Sequence, residues 1–181
     1  MSSTSPRIAP IDVATSAPHV RTTLDAVKAD IGMVPNLFKT LAQSPAALDG
    51  YLGLSSTLGT GKLTPAQREI VALAVGQANS CAYCLSAHTM IAKGAGLDEA
   101  SIHAARRGEG ADPKNAALAQ FARAVVTQRG VVDDAEFSAF KQAGFDDGAA
   151  IEVIGHVALN TLTNYVNHLA GTEIDFPPVN P

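Results

Sequence analysis

Apolar side chains recur at intervals of three and four along most of this chain. Val20, Leu24, Val27 and Ile31 make one such stripe, broken near Gly32, and this is the spacing of an amphipathic helix. Pro35 starts a short helix through Phe38 and Leu41. Ser44-Pro45 opens another, carrying Leu48, Tyr51, Leu52 and Leu54 as far as the glycines at 59 and 61; proline in the first turn suits a helix start because its missing N–H has no intrahelical partner there. Thr64-Pro65-Ala66-Gln67 has the threonine and glutamine of a capping box. Further helices are predicted from Leu97 to Arg107, from Asp112-Pro113 through Leu118, Phe121 and Val125, and from Asp133 or Asp134 to Gly144. The last, Gly148 to about Leu169, is apolar on most of its circumference, with Ile151, Val153, Ile154, Val157, Leu159, Leu162, Tyr165 and Val166. Such a helix belongs at the centre of a fold or at a subunit interface. Sustained alternation of apolar and polar residues, the mark of strands, is missing.

The pattern divides the chain into an arm at 1–17, rich in Ser, Thr and Pro, a helical domain at 18–171, and an irregular tail at 172–181 with Pro177, Pro178 and Pro181. The arm is expected to extend across a neighbouring subunit. At 181 residues, one domain with a substantial core is expected. Lys and Arg total 13 against 17 Asp and Glu, a net charge of -4, so nothing here forms the basic footprint of a nucleic-acid binder. Arg106-Arg107-Gly108-Glu109-Gly110 reads as a loop of solvated charge. Charged and amide residues interrupt every apolar run before it reaches membrane-spanning length, and the N-terminus has no secretory pattern.

Arg68 to Gly96 carries the candidate chemistry. Both cysteines of the chain lie in it, as Cys81-Ala-Tyr-Cys84 followed by His88. A helix beginning at Cys81, capped by Ser80 or Asn79, puts both thiols on its first turn, where free N–H groups and the dipole favour thiolate. Cys81, Cys84 and His88 then fall on one stripe, and a thiol that titrates at ~8.5 alone is lowered by such neighbours. Glu69, on the preceding helix, reaches His88 if the two helices fold antiparallel. Two cysteines spaced as CxxC point to a redox pair or metal ligands in a reducing compartment, hence a cytoplasmic location.

The string Glu69, Cys81-x-x-Cys84-x-x-x-His88 resembles the AhpD-like alkylhydroperoxidases of the carboxymuconolactone decarboxylase superfamily. The flanks MVPNLFKTLAQSPAALDGY and NYVNHLAGTEIDFP look like its peroxidase-related branch. The resemblance implies an all-α, multi-helical AhpD-like bundle assembled as a homo-oligomer, trimer or hexamer, and thiol-based reduction of hydroperoxides without a cofactor. It implies Cys84 as the sulfur that attacks peroxide, Cys81 as the sulfur that resolves it, Glu69 and His88 as proton relay, and a dithiol reductant, either a lipoyl-bearing or a thioredoxin-like protein. One position departs: where the best-known members carry a second histidine, this chain has Tyr83, and a phenol titrating at ~10 is no base at neutral pH.

Other readings stay open on the residues alone. A structural zinc site needs four ligands; Cys81, Cys84 and His88 supply three, with Glu69, His156 or His168 as the fourth, but zinc pairs usually come as two knuckles. Lactone decarboxylation, the chemistry that named the superfamily, needs proton transfer but no thiol pair. A redox sensor would oxidise once without turnover. His156 and His168 read as structural histidines, and His19 and His103 as exposed ones. Asn164 and Asn167 line either an interface or a pocket, and Tyr83 is either a core aromatic or a donor toward sulfur. A faint echo relates Glu69–His88 to Glu152–His168.

Overall fold

The computed structural model describes residues 5–110 and 112–181; the first four residues of the predicted arm lie outside them. Among the described residues there is no strand, and the chain runs through α1 (Pro18–Ile31), α2 (Asn36–Leu41), α3 (Pro45–Gly59), α4 (Pro65–Ala78), α5 (Ala82–Gly94), α6 (Glu99–Arg107), α7 (Pro113–Thr127), α8 (Asp134–Gln142) and α9 (Asp147–Ala170). The fold is the all-helical one the pattern predicts. None of these helices is long and apolar enough to cross a membrane.

Every helix from α3 to α9 has a side chain capping its first turn: Ser44, Thr64, Cys81, Asp98, Asp112, Asp133 and Asp146 in order. Each satisfies one otherwise orphaned N–H, and each of the oxygen caps is worth ~1 kcal/mol. Thr64 and Gln67 form the full capping box. Arg106 and Arg107, where the predicted helix and the predicted loop overlap, are the last turn of α6. Basic side chains are favoured there beside the negative end of the dipole, and Gly108, at φ 71°, ends the helix.

The core has two parts. Leu73 of α4 joins Leu118 of α7, Phe140 of α8 and Val153 of α9 in the larger; truncating such a leucine to alanine costs about 2–5 kcal/mol. The smaller gathers Leu24, Phe38 and Leu48 from α1 to α3 around Cys81, Tyr83 and Cys84 at the start of α5. Helix α4 packs against α5, α6, α7 and α9 and belongs to the larger part, while α5 contributes to both. The described part of the arm is tied to the helical domain of its own chain at three points. Ile8 N–H donates to the Ala170 carbonyl at 3.2 Å, Ile11 N–H to that of Lys39 at 3.2 Å, and Gln43 holds the Ala9 carbonyl at 2.8 Å.

Candidate functional site

The turn between α4 and α5 sets the sulfur pair. Ser80 N–H bonds the Gln77 carbonyl and Cys81 N–H that of Gly76, the two bonds of a Schellman ending, with Ser80 left-handed at φ 54°. That conformation removes Ser80 from the capping role expected of it. The next helix is capped by Cys81 itself, whose Sγ accepts the Cys84 N–H at 3.3 Å. Helix α5 accordingly starts at Ala82, one residue later than expected. The two cysteines are paired as a disulfide with Cα atoms 5.3 Å apart, and both are buried, Cys81 at 1% exposure and Cys84 at 3%.

The hairpin of α4 and α5 brings Glu69 back to His88, with Oε2 2.8 Å from Nδ1. The side chains are 21% exposed for His88 and 13% for Glu69. Burial disfavours the imidazolium, but the charge and the hydrogen bond of Glu69 together outweigh it and hold the His88 pKa above its ordinary value. Glu69 also acts on Tyr51 of α3. Burial, reinforced by that carboxylate, pushes the Tyr51 phenol up to about 12.

Tyr83 turns away from proton chemistry. Its hydroxyl accepts the Leu37 N–H at 3.1 Å and donates to Asp175 at 2.7 Å, while Asp175 also accepts the Asn36 N–H at 2.7 Å. Burial and the Asp175 carboxylate raise the phenol well above its ordinary range, so it remains a donor. Phe176 stands edge-on to Tyr83, centroids 5.7 Å apart. Further along the tail, Val179 N–H donates to Ser86 Oγ at 2.9 Å and Arg106 holds the Asn180 carbonyl at 2.6 Å.

Beside these groups is a cavity of about 230 Å³ to which Leu37, Phe38, Tyr51, His88, Met90 and Phe176 contribute. Its walls are mostly apolar, and the imidazole of His88 and the carboxylate of Asp30 are among the polar groups on them. Asn167 of α9 comes to the sulfur from the other side, its Nδ2 donating to Cys84 Sγ at 3.3 Å. Asn164 accepts from Asn79 Nδ2 at 2.9 Å.

His156 is buried on α9 with Nε2 4.0 Å from Glu152. His168 is exposed and donates from Nε2 to the Asn79 carbonyl at 2.9 Å. Arg106 and Arg107 are engaged within the chain by Gln77 and Glu109. Among the described residues, no cluster of three His, Cys, Asp or Glu has the placement of a metal site. The pattern pointed to neither Asp175, Phe176 nor the contact of Asn167 with sulfur, because each is a long-range pairing; only the choice of pocket or interface left open for Asn167 touched on it.

The sequence model of the Carboxymuconolactone decarboxylase family matches residues 45–128, a segment that includes Glu69, both cysteines and His88. No curated protein matches the chain. Among solved structures, it is similar to an alkylhydroperoxidase AhpD core, a peroxidase-related protein from Ralstonia eutropha JMP134, at 25% identity and TM-score 0.85, over 96% of this chain and 94% of that one. A peroxidase-related protein from Silicibacter sp. TM1040 shares the fold at 20% identity and TM-score 0.79, over 98% and 96%. The debrominase Bmp8 shares it at 22% identity and TM-score 0.79, over 93% and 91%, and a variant of Bmp8 has been crystallised with 2,3,4-tribromopyrrole.

Proposed function

Because the chain belongs to the AhpD-like carboxymuconolactone decarboxylase superfamily, we propose that it is a thiol-dependent peroxidase that reduces organic hydroperoxides. The observation that carries this reading is the sulfur pair at the start of α5 with a glutamate-held histidine on the same helix. Glu69 fixes Nδ1 of His88 as the protonated nitrogen, leaving Nε2 to exchange a proton.

In the reduced protein the Cys84 thiolate attacks the outer peroxide oxygen, the O–O bond breaks, and the alkoxide leaves with a proton from His88 as an alcohol. The Cys84 sulfenic acid then condenses with the Cys81 thiol, expelling water and forming the disulfide. A dithiol carrier, lipoyl-bearing or thioredoxin-like, returns two electrons by exchange and restores both thiols. The apolar cavity beside His88 suits the organic part of the peroxide.

The reading includes a cytoplasmic setting and assembly of the chain into a trimer or hexamer. Ile151, 70% exposed, Tyr165 and Leu169 on α9 give such an assembly an apolar face to cover.

The test is hydroperoxide consumption with excess dithiol by wild type, Cys84→Ser and Cys81→Ser. Turnover should vanish with Cys84→Ser, and Cys81→Ser should stop after one equivalent with a trappable sulfenic acid. Sustained turnover by Cys84→Ser would sink the assignment. A second substrate class is favoured by the aromatic walls at Phe38, Tyr51 and Phe176: a small brominated aromatic, reduced as R–Br plus two thiols to R–H, HBr and the disulfide. Bromide release under the same conditions identifies it. Lactone decarboxylation, which needs no sulfur, would survive replacement of both cysteines.

A further inference from the structure

The two sulfurs of the pair have different hydrogen-bond donors. Cys81 Sγ caps α5 and takes the backbone N–H of Cys84. Cys84 Sγ takes a side-chain donor, Nδ2 of Asn167, from a helix 83 residues further along the chain. Asn167 is 5% exposed, and its Oδ1 is buried with no hydrogen-bond partner. Its backbone carbonyl, by contrast, is fully used, accepting N–H groups from Gly171 and Thr172 at the end of α9.

A buried amide with an unpaired oxygen is unfavourable by ~1–3 kcal/mol. It stands here with its other end against the sulfur of a candidate nucleophile. A disulfide sulfur is a weak acceptor, so in the oxidised protein that contact returns little. A thiolate is an acceptor only, buried at 3% exposure in this site, and a fixed N–H donor favours it directly. The arrangement therefore has its full value in the reduced state.

We infer that Asn167 stabilises the Cys84 thiolate through its side-chain N–H and so makes Cys84, rather than Cys81, the attacking sulfur. The inference rests on the peroxidase reading only for what that thiolate does next; the thiolate itself is measured without peroxide. Asn167 lies outside residues 45–128, the segment that the family model matches, and within the C-terminal flank NYVNHLAGTEIDFP. Glu69, His88, Asp30 and Asp175, the charged groups around the site, are kept unchanged in every arm of the test.

The experiment uses the reduced full-length chain in a Cys81→Ser background, where Cys84 is the single thiol, and measures alkylation by iodoacetamide at pH 7. Asn167→Ala should slow it roughly tenfold, the loss expected for one hydrogen bond to a charged group. Asn167→Asp should slow it more, because a carboxylate then faces the sulfur. In the reciprocal Cys84→Ser background, alkylation of Cys81 should not respond to either change; a general loosening of the site would alter both thiols.

An unchanged rate in folded Asn167→Asp overturns the inference, as does an equal effect on Cys81. Should the variants not fold, the wild-type chain decides. The Asn167 side-chain amide resonance must shift as Cys84 titrates and stay still in Cys84→Ser, and a resonance indifferent to the thiol overturns the inference. Because neither readout involves a peroxide, failure of the peroxidase assay with a responsive Cys84 thiol would count against the function and leave Asn167 in its role.

Discussion

Glu69 and His88 meet across the α4–α5 hairpin at 2.8 Å, whereas Glu152 and His156, one turn apart on α9, keep 4.0 Å between carboxylate and Nε2. The residue types are the same and the environments differ. Glu152 accepts the backbone N–H groups of Lys62 at 2.7 Å and Leu63 at 2.8 Å, so both its oxygens hold the loop between α3 and α4. Held there, the carboxylate stays beyond hydrogen-bond reach of the imidazole. Burial consequently dominates His156 and lowers its pKa, with the Glu152 carboxylate opposing, while the Glu69 carboxylate wins at His88 and raises it. On the function proposed above, the pair suited to relaying protons is the one whose carboxylate bonds the imidazole and whose histidine lines a cavity.

The largest expected difference between the pairs is in activity. Glu69→Gln should cut dithiol-dependent peroxide turnover by about 100-fold, the range for loss of a general acid–base partner, with the melting temperature nearly unchanged. Glu152→Gln should leave turnover within a few-fold in the same assay. Equal losses would erase the distinction.

Stability should reverse the ranking. Glu152→Ala leaves the Lys62 and Leu63 N–H groups without their acceptor and should cost about 2–3 kcal/mol in urea unfolding. A milder version acts from the loop side. A Cβ at Gly61 would collide with the Glu152 carboxylate, so Gly61→Ala should cost about 1–2 kcal/mol by pushing that carboxylate off its donors, read as a lower urea midpoint at unchanged slope.

The smallest effects are in pH dependence, and their signs are opposite. His88 has a folded pKa above its unfolded value of ~6.5, so its contribution is complete below that value and is lost as pH rises through the folded pKa. His156 has a folded pKa below it, so the unfolded chain takes up the proton first and stability falls as pH drops from ~6.5 toward the folded value. Urea midpoints between pH 5 and 8 should show the alkaline-side loss disappear in Glu69→Gln and the acid-side loss disappear in His156→Gln. The two slopes moving together in either variant would mean that the histidines are not independent.

Much of this arrangement was legible along the chain because it is local. Ser44-Pro45, Thr64 with Gln67, and Asp112-Pro113 cap helices where their spacing predicts, and the hairpin that joins Glu69 to His88 follows from two adjoining helical stripes. Cys81 replaced Ser80 as a cap because Ser80 was claimed by the Schellman ending of α4, a competition between two local motifs that neither reveals alone. The orientation of Tyr83 was not legible, since its partner Asp175 is 92 residues away. Nor was the difference between the two Glu–His pairs: Glu152 is occupied by backbone groups 90 and 89 positions earlier, and no periodicity encodes that.

The tail that carries Asp175 and Phe176 has a consequence for how the protein comes to be made. Asp175 closes a loop of 139 residues when it takes the Asn36 N–H, and Phe176 is one wall of the cavity beside His88. During synthesis the cysteines leave the ribosome long before that wall does, and contacts so distant in the chain form late. For that interval Tyr83, between the two cysteines in sequence, and the cavity beside His88 stand without the tail that packs on them. A reduced chain halted after Gly171 should therefore react with alkylating reagents faster than the reduced full chain, which would make completion of the tail the last step in closing the surroundings of Tyr83.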